Sequence, residues 1–120
     1  MKVITADEYK KALETIEITE KQKIMLKAHY EALNRSITYT KLANSAGYDD
    51  FSVANIQYGK LGRTLGEAVG FEFVNLDNNS DRKFYSSSIG MQNSHTEGDF
   101  QLVMHHELAK AIEMSDIFKD

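Results

Sequence analysis

Apolar positions along the chain repeat at helical spacing in its first seventy residues and at strand spacing after that. Ala12, Leu13 and Ile16 follow Thr5 and Glu8, whose separation is that of a reciprocal capping box. The pattern predicts a short helix over about 6–16. Thr19 and Gln22 repeat the cap spacing, and Ile24, Met25, Ala28 and Leu33 form the stripe of a second helix over about 20–33, ended by Asn34 and Arg35. Ser36-Ile37-Thr38 reads as a short edge strand. Thr38 or Thr40 then caps a short helix carrying Leu42 and Ala43, which Gly47 terminates. Asp49, Asp50 and Ser52 offer caps for a third long helix over 52–69, closed by Gly70. Short helix, glycine turn and helix make a helix-turn-helix pattern.

Beyond Gly70 the period shortens. Residues 71–76 alternate as a half-buried strand does, and 77–81 are turn formers. Residues 83–88 read as a returning strand, 90–98 as a polar loop and 100–104 as a third strand. Leu108, Ala109 and Ile112 share one face of a last helix over about 106–114. The expected fold class is α+β. It has a helical N-terminal half with a helix-turn-helix or winged-helix-like segment, a small antiparallel sheet and a C-terminal helix. A length of 120 residues suits one domain, with 1–70 as its helical half and 71–120 as the sheet and final helix.

Charge changes the picture more than composition does. The net charge of −4 is unevenly spread: residues 1–35 carry seven basic and six acidic groups, 36–70 three of each, and 71–120 four and nine. The absence of cysteine excludes disulfides, thiol catalysis and cysteine-based zinc sites. No apolar run approaches a membrane span, and the opening segment lacks the apolar core of a signal peptide, so a cytoplasmic protein with no membrane contact is expected.

The long helix carries the most distinctive chemistry. Ala54, Tyr58, Leu61, Leu65 and Val69 predict its buried face. Gly62, Gly66 and Gly70 recur every fourth residue beside that face, although glycine inside a helix costs about 1 kcal/mol relative to alanine. Close packing against another element is the simplest reason, and a ligand near the backbone or a homodimer contact is the alternative. Gln57, Lys60, Arg63 and Thr64 lie on the opposite side, where the second helix of a helix-turn-helix reads base edges. Arg35, Tyr39, Lys41 and Asn44 are placed to add phosphate contacts. A solvated helix face is the plain alternative. The acidic C-terminal half opposes strong non-specific binding, because phosphate neutralisation supplies most of that affinity.

Other chemistry is sparse. His95, His105, His106 and Glu107 are close in sequence, but adjacent histidines point about 100° apart on a helix and chelate one metal poorly. Helix start and surface are their simpler roles. Ser86-Ser87-Ser88 has no nearby base and reads as loop or edge-strand filler. Asp49-Asp50 reads as a cap, and the glycines and cations of 59–63 lack P-loop order. No catalytic residue, metal or cofactor is expected.

The segment 37–70 resembles a family of small bacterial domains that stand alone or beside HNH nuclease domains in restriction and defence proteins. Thr38, Leu42, Ala43, Gly47 and Tyr48 match its T-x-x-x-L-A-x-x-x-G-Y motif. Asn55, Ile56, Gln57, Tyr58, Gly59, Leu61, Gly62 and Arg63 match N-L-Q-Y-G-x-L-G-R, with isoleucine for leucine. The run from His106 to Ile112 resembles a C-terminal R-P-E-L-A-x-A-L, with His105 and His106 where arginine and proline are usual. No HNH segment is present, so the resemblance implies a context rather than a nuclease.

Two functions follow as expectations. The first is a non-enzymatic binding module of bacterial or phage defence or counter-defence, contacting nucleic acid or a nucleoprotein through helix 52–69. The second is an inhibitor of a nucleic-acid enzyme, of the anti-CRISPR or immunity-protein type. In that reading Asp77, Asp81, Glu97 and Asp99 mimic phosphate charge against a basic cleft.

Overall fold

A computed structural model describes residues 3–75, 82–93 and 101–118. Helix α1 (Ala6–Thr15) starts at Thr5, whose side chain accepts from the Glu8 amide while the Glu8 carboxylate accepts from the Thr5 amide. Helix α2 (Glu20–Glu31) repeats the box with Thr19 and Gln22. It ends before the expected residue 33, because a 3₁₀ turn at Leu33–Arg35 follows, with Asn34 and Arg35 at φ of 56° and 57°. The face it buries also differs from the expected stripe. Gln22, Met25, Leu26 and His29 turn inward, whereas Ile24 and Leu33 are exposed.

Strand β1 (Ser36–Thr38) leads into α3 (Tyr39–Ala46), capped by the Thr38 side chain on the Lys41 amide and stopped by Gly47 at φ 77°. Helix α4 (Phe51–Val69) begins at Asp50, which accepts from the Ser52 amide, and ends at Gly70 at φ 74°. Both stops are left-handed, the conformation only glycine adopts without steric cost. The five residues predicted for the buried face of α4 are all buried, and the helix packs against α1, α2 and α3.

After Gly70 three expectations are corrected. The strand expected over 71–76 reduces to β2 (Val74–Asn75), paired antiparallel with β3 (Lys83–Phe84). Phe71 and Phe73 instead turn their rings onto His105 and Tyr85, at centroid distances of 5.9 and 5.0 Å. The returning strand over 83–88 stops at Phe84 and gives way to a 3₁₀ turn, Tyr85–Ser88. Its three serines are buried rather than edge filler: Ser88 Oγ donates to the Gly62 carbonyl at 2.6 Å, and Ser87 Oγ accepts from the Val74 amide at 3.1 Å. The polar stretch expected as a loop from Gly90 begins as β4 (Gly90–Asn93). It pairs with β5 (Gln101–Met104), so backbone hydrogen bonds substitute for apolar alternation.

The sheet order is β1-β5-β4, antiparallel throughout, with Ile37 and Gln92 flanking Leu102. Helix α5 (His106–Met114) closes the fold against α1. The class is α+β, with a helical N-terminal half, a small antiparallel sheet and a C-terminal helix. Among the described residues no helix is long and apolar enough to cross a membrane.

Candidate functional site

The glycine row of α4 explains how the site is built. A Cβ on Gly62 would stand 2.3 Å from the Tyr85 carbonyl oxygen, and one on Gly66 would stand 2.4 Å from Phe73 Cζ. These two glycines therefore let the 3₁₀ turn Tyr85–Ser88 lie against the helix backbone. That face is occupied within the chain, as the close-packing reading of the glycine row expects, and not by a second copy. Gly59, one turn earlier, differs: a Cβ there would meet nothing within 4 Å.

Where the turn diverges from α4 above Gly59, a groove of about 310 Å³ opens between the helix and residues 83–86. Ile56, Gly59, Lys60 and Arg63 line it from α4, and Lys83, Phe84 and Tyr85 from the other side. Three cations thus share one groove with two half-buried aromatic rings. The Arg63 guanidinium lies 5.0 Å over the Tyr85 ring, and its Nε is 3.5 Å from the Glu67 carboxylate. Both partners of that ion pair are more than half exposed, so it contributes at most about 1 kcal/mol and leaves most of the guanidinium open. Lys83 Nζ donates to Asn75 Oδ1 at 2.9 Å. Lys60 has no ion-pair partner among the described residues.

The residues singled out from sequence fall in different places. Lys60 and Arg63 line the groove. Thr64 is exposed, but its hydroxyl donates to the Lys60 carbonyl at 3.0 Å. Gln57 is half-buried, and its carbonyl accepts from Gln22 Nε2 at 3.2 Å. Lys41 and Asn44 are exposed on α3 and do not line the groove. Arg35 is engaged elsewhere, with its guanidinium 4.2 Å from the Tyr30 ring and 3.6 Å from the Glu113 carboxylate. The Tyr39 hydroxyl is a buried core atom, not a phosphate donor. Burial raises its pKa. Asp77, Asp81, Glu97, Asp99 and His95 lie outside the described residues.

His105 is the N-cap residue of α5, and its Nε2 lies 2.7 Å from the Ser87 carbonyl; His106 is exposed. Among the described residues no three His, Asp or Glu side chains gather as a metal site requires.

Two further residues have a chemical role that local pattern does not reveal. Lys83 was assigned only to a strand, although the run Arg82-Lys83-Phe84-Tyr85 sets two cations beside two aromatics, a signal for strand-binding surfaces. His29 is fully buried. Its Nε2–H donates to the Leu102 carbonyl and its Nδ1 accepts from the Tyr58 hydroxyl, both at 2.8 Å. A carbonyl only accepts, which assigns the proton to Nε2. Burial pushes the imidazole pKa down to about 4. His29 therefore joins α2, α4 and β5 as a neutral structural link. Its place one turn after Met25 was the available sequence clue.

The motif positions divide along the same line. Thr38, Leu42, Ala43 and Gly47 are the cap, buried pair and stop of α3. Tyr48 lies under Lys21 Nζ at 4.6 Å, and the same ammonium donates to the Ala46 carbonyl at 2.6 Å. In the second motif Tyr58, Leu61 and Gly62 are interior, while Ile56, Gly59 and Arg63 line the groove. Compared with protein-family models, with curated proteins and with solved structures, the chain matches none.

Proposed function

We propose that the chain is a non-enzymatic nucleic-acid-binding module whose contact surface is the outer side of α4 and the adjoining 83–85 segment. The observation that carries this reading is the convergence of Lys60, Arg63 and Lys83 on one groove. Cations drawn from separate elements to one groove suit a phosphate backbone, whose neutralisation drives binding through counterion release. Arg63 suits this role because the Tyr85 ring supports its guanidinium plane, while its exposed pair with Glu67 leaves most of the fork open. The chain order also supports the reading. Helices α3 and α4 follow each other across a four-residue connection that contains Gly47, the spacing a helix-turn-helix uses. The motif resemblance supplies the context, bacterial or phage defence or its evasion. Absence of binding to both single- and double-stranded oligonucleotides at low salt, measured by fluorescence anisotropy, overturns the proposal. So does binding unchanged by Lys60→Ala with Arg63→Ala.

A further inference from the structure

The groove has a shape that a duplex-reading helix does not need. We infer that the recess above Gly59 seats an unpaired nucleobase, with the phosphates on either side held by Lys60, Arg63 and Lys83; this rests on the binding reading above. Gly62 and Gly66 are each required by an atom that a side chain would strike, but Gly59 is required by none. A glycine in the middle of a 19-residue helix costs about 1 kcal/mol relative to alanine, and no packing contact accounts for this one, which leaves the space above it open. The space is bounded by Ile56 and the half-buried rings of Phe84 and Tyr85, with cations at its rim. Apolar and aromatic walls under a cationic rim are how proteins hold single strands: the base loses water against the walls while its phosphates pair outside. Ile56 is 58% exposed, so this wall is open to a ligand. A base in a duplex keeps its faces stacked and reaches such a recess only after leaving the helix.

The test compares a mixed-sequence single strand with its own duplex, by anisotropy, for the intact chain and for Gly59→Leu. The single strand is expected to bind at least tenfold more tightly than the duplex. Gly59→Leu fills the recess with a good helix former. It is expected to remove at least tenfold of the single-strand affinity while leaving duplex binding and the unfolding temperature undiminished. Lys83→Ala is expected to weaken both ligands. Equal or tighter duplex binding, or single-strand binding untouched by Gly59→Leu, overturns the inference and leaves the binding function standing. Loss of binding to both ligands in the intact chain overturns both. A Gly59→Leu protein that unfolds at a lower temperature also overturns it, because the recess is then needed for packing.

Discussion

Gly59 and Gly62 lie three residues apart in one helix, and the same change at each has opposite expected effects. Replacing Gly59 by alanine adds a methyl group to open space and removes the conformational penalty of glycine, a gain of up to about 1 kcal/mol. Replacing Gly62 brings the same gain, but its Cβ would stand 2.3 Å from the Tyr85 oxygen and 2.8 Å from the Tyr85 carbon. Those are backbone atoms, so the 3₁₀ turn must move. Overpacking of this kind costs about 1–3 kcal/mol. Moving the turn also stretches the 2.6 Å bond from Ser88 to the Gly62 carbonyl, a further loss of about 1 kcal/mol. The net expectation for Gly62→Ala is a loss of about 1–3 kcal/mol. For 120 residues, an unfolding entropy of about 2.1 cal/mol/K per residue makes each kcal/mol equivalent to about 4 °C. Thermal unfolding followed by circular dichroism should raise the midpoint of Gly59→Ala by about 2–4 °C. It should lower that of Gly62→Ala by about 4–12 °C. Shifts of equal sign and size would refute the argument, because helix propensity alone would then describe both sites.

Three further outcomes follow from the described contacts. His29 has a folded pKa of about 4 against an ordinary value of 6.5, so below pH 6.5 the unfolded chain binds the extra proton and stability falls as pH drops toward 4, by on the order of 3 kcal/mol; urea midpoints of the intact chain and His29→Leu measure this, and an intact chain equally stable at pH 7 and 4.5 contradicts it. Thr19→Ala removes the cap of α2 and should lower stability by about 1 kcal/mol, read from the same urea curves; no change would show that the box is idle. Each of Lys60→Ala and Lys83→Ala should reduce the logarithmic salt slope of single-strand binding by about 0.7, and an unaltered slope removes that lysine from the contact.

Much of the fold was legible because local chemistry dictated it. The threonines at 5, 19 and 38 and the glycines at 47 and 70 set helix ends through bonds to near neighbours, and the starts of α1, α2 and α3 and the stops of α3 and α4 follow them. Errors arose where a segment's structure depends on distant atoms. Tyr85–Ser88 carries a β-like sequence, yet the gap left by Gly62 and Gly66 draws it into a 3₁₀ turn. Gly90–Asn93 has no apolar alternation and is a strand because β5 offers it an edge. Of the candidate site, Lys60 and Arg63 were visible as the polar face of a helix, whereas Arg35 and Tyr39 were drawn away by Tyr30, Glu113 and the core.

The helices, their caps and the inward face of α4 follow from the order of residues alone, because each depends on neighbours within a turn or two. Which cations meet depends on how distant segments pack. Lys83 stands 20 or more residues from Lys60 and Arg63 along the chain, and it reaches their groove because two glycines lacking side chains let the 83–88 segment settle on the helix. The same approach sets Gly62 apart from Gly59, two glycines indistinguishable by local pattern: one is covered by backbone and the other is left open.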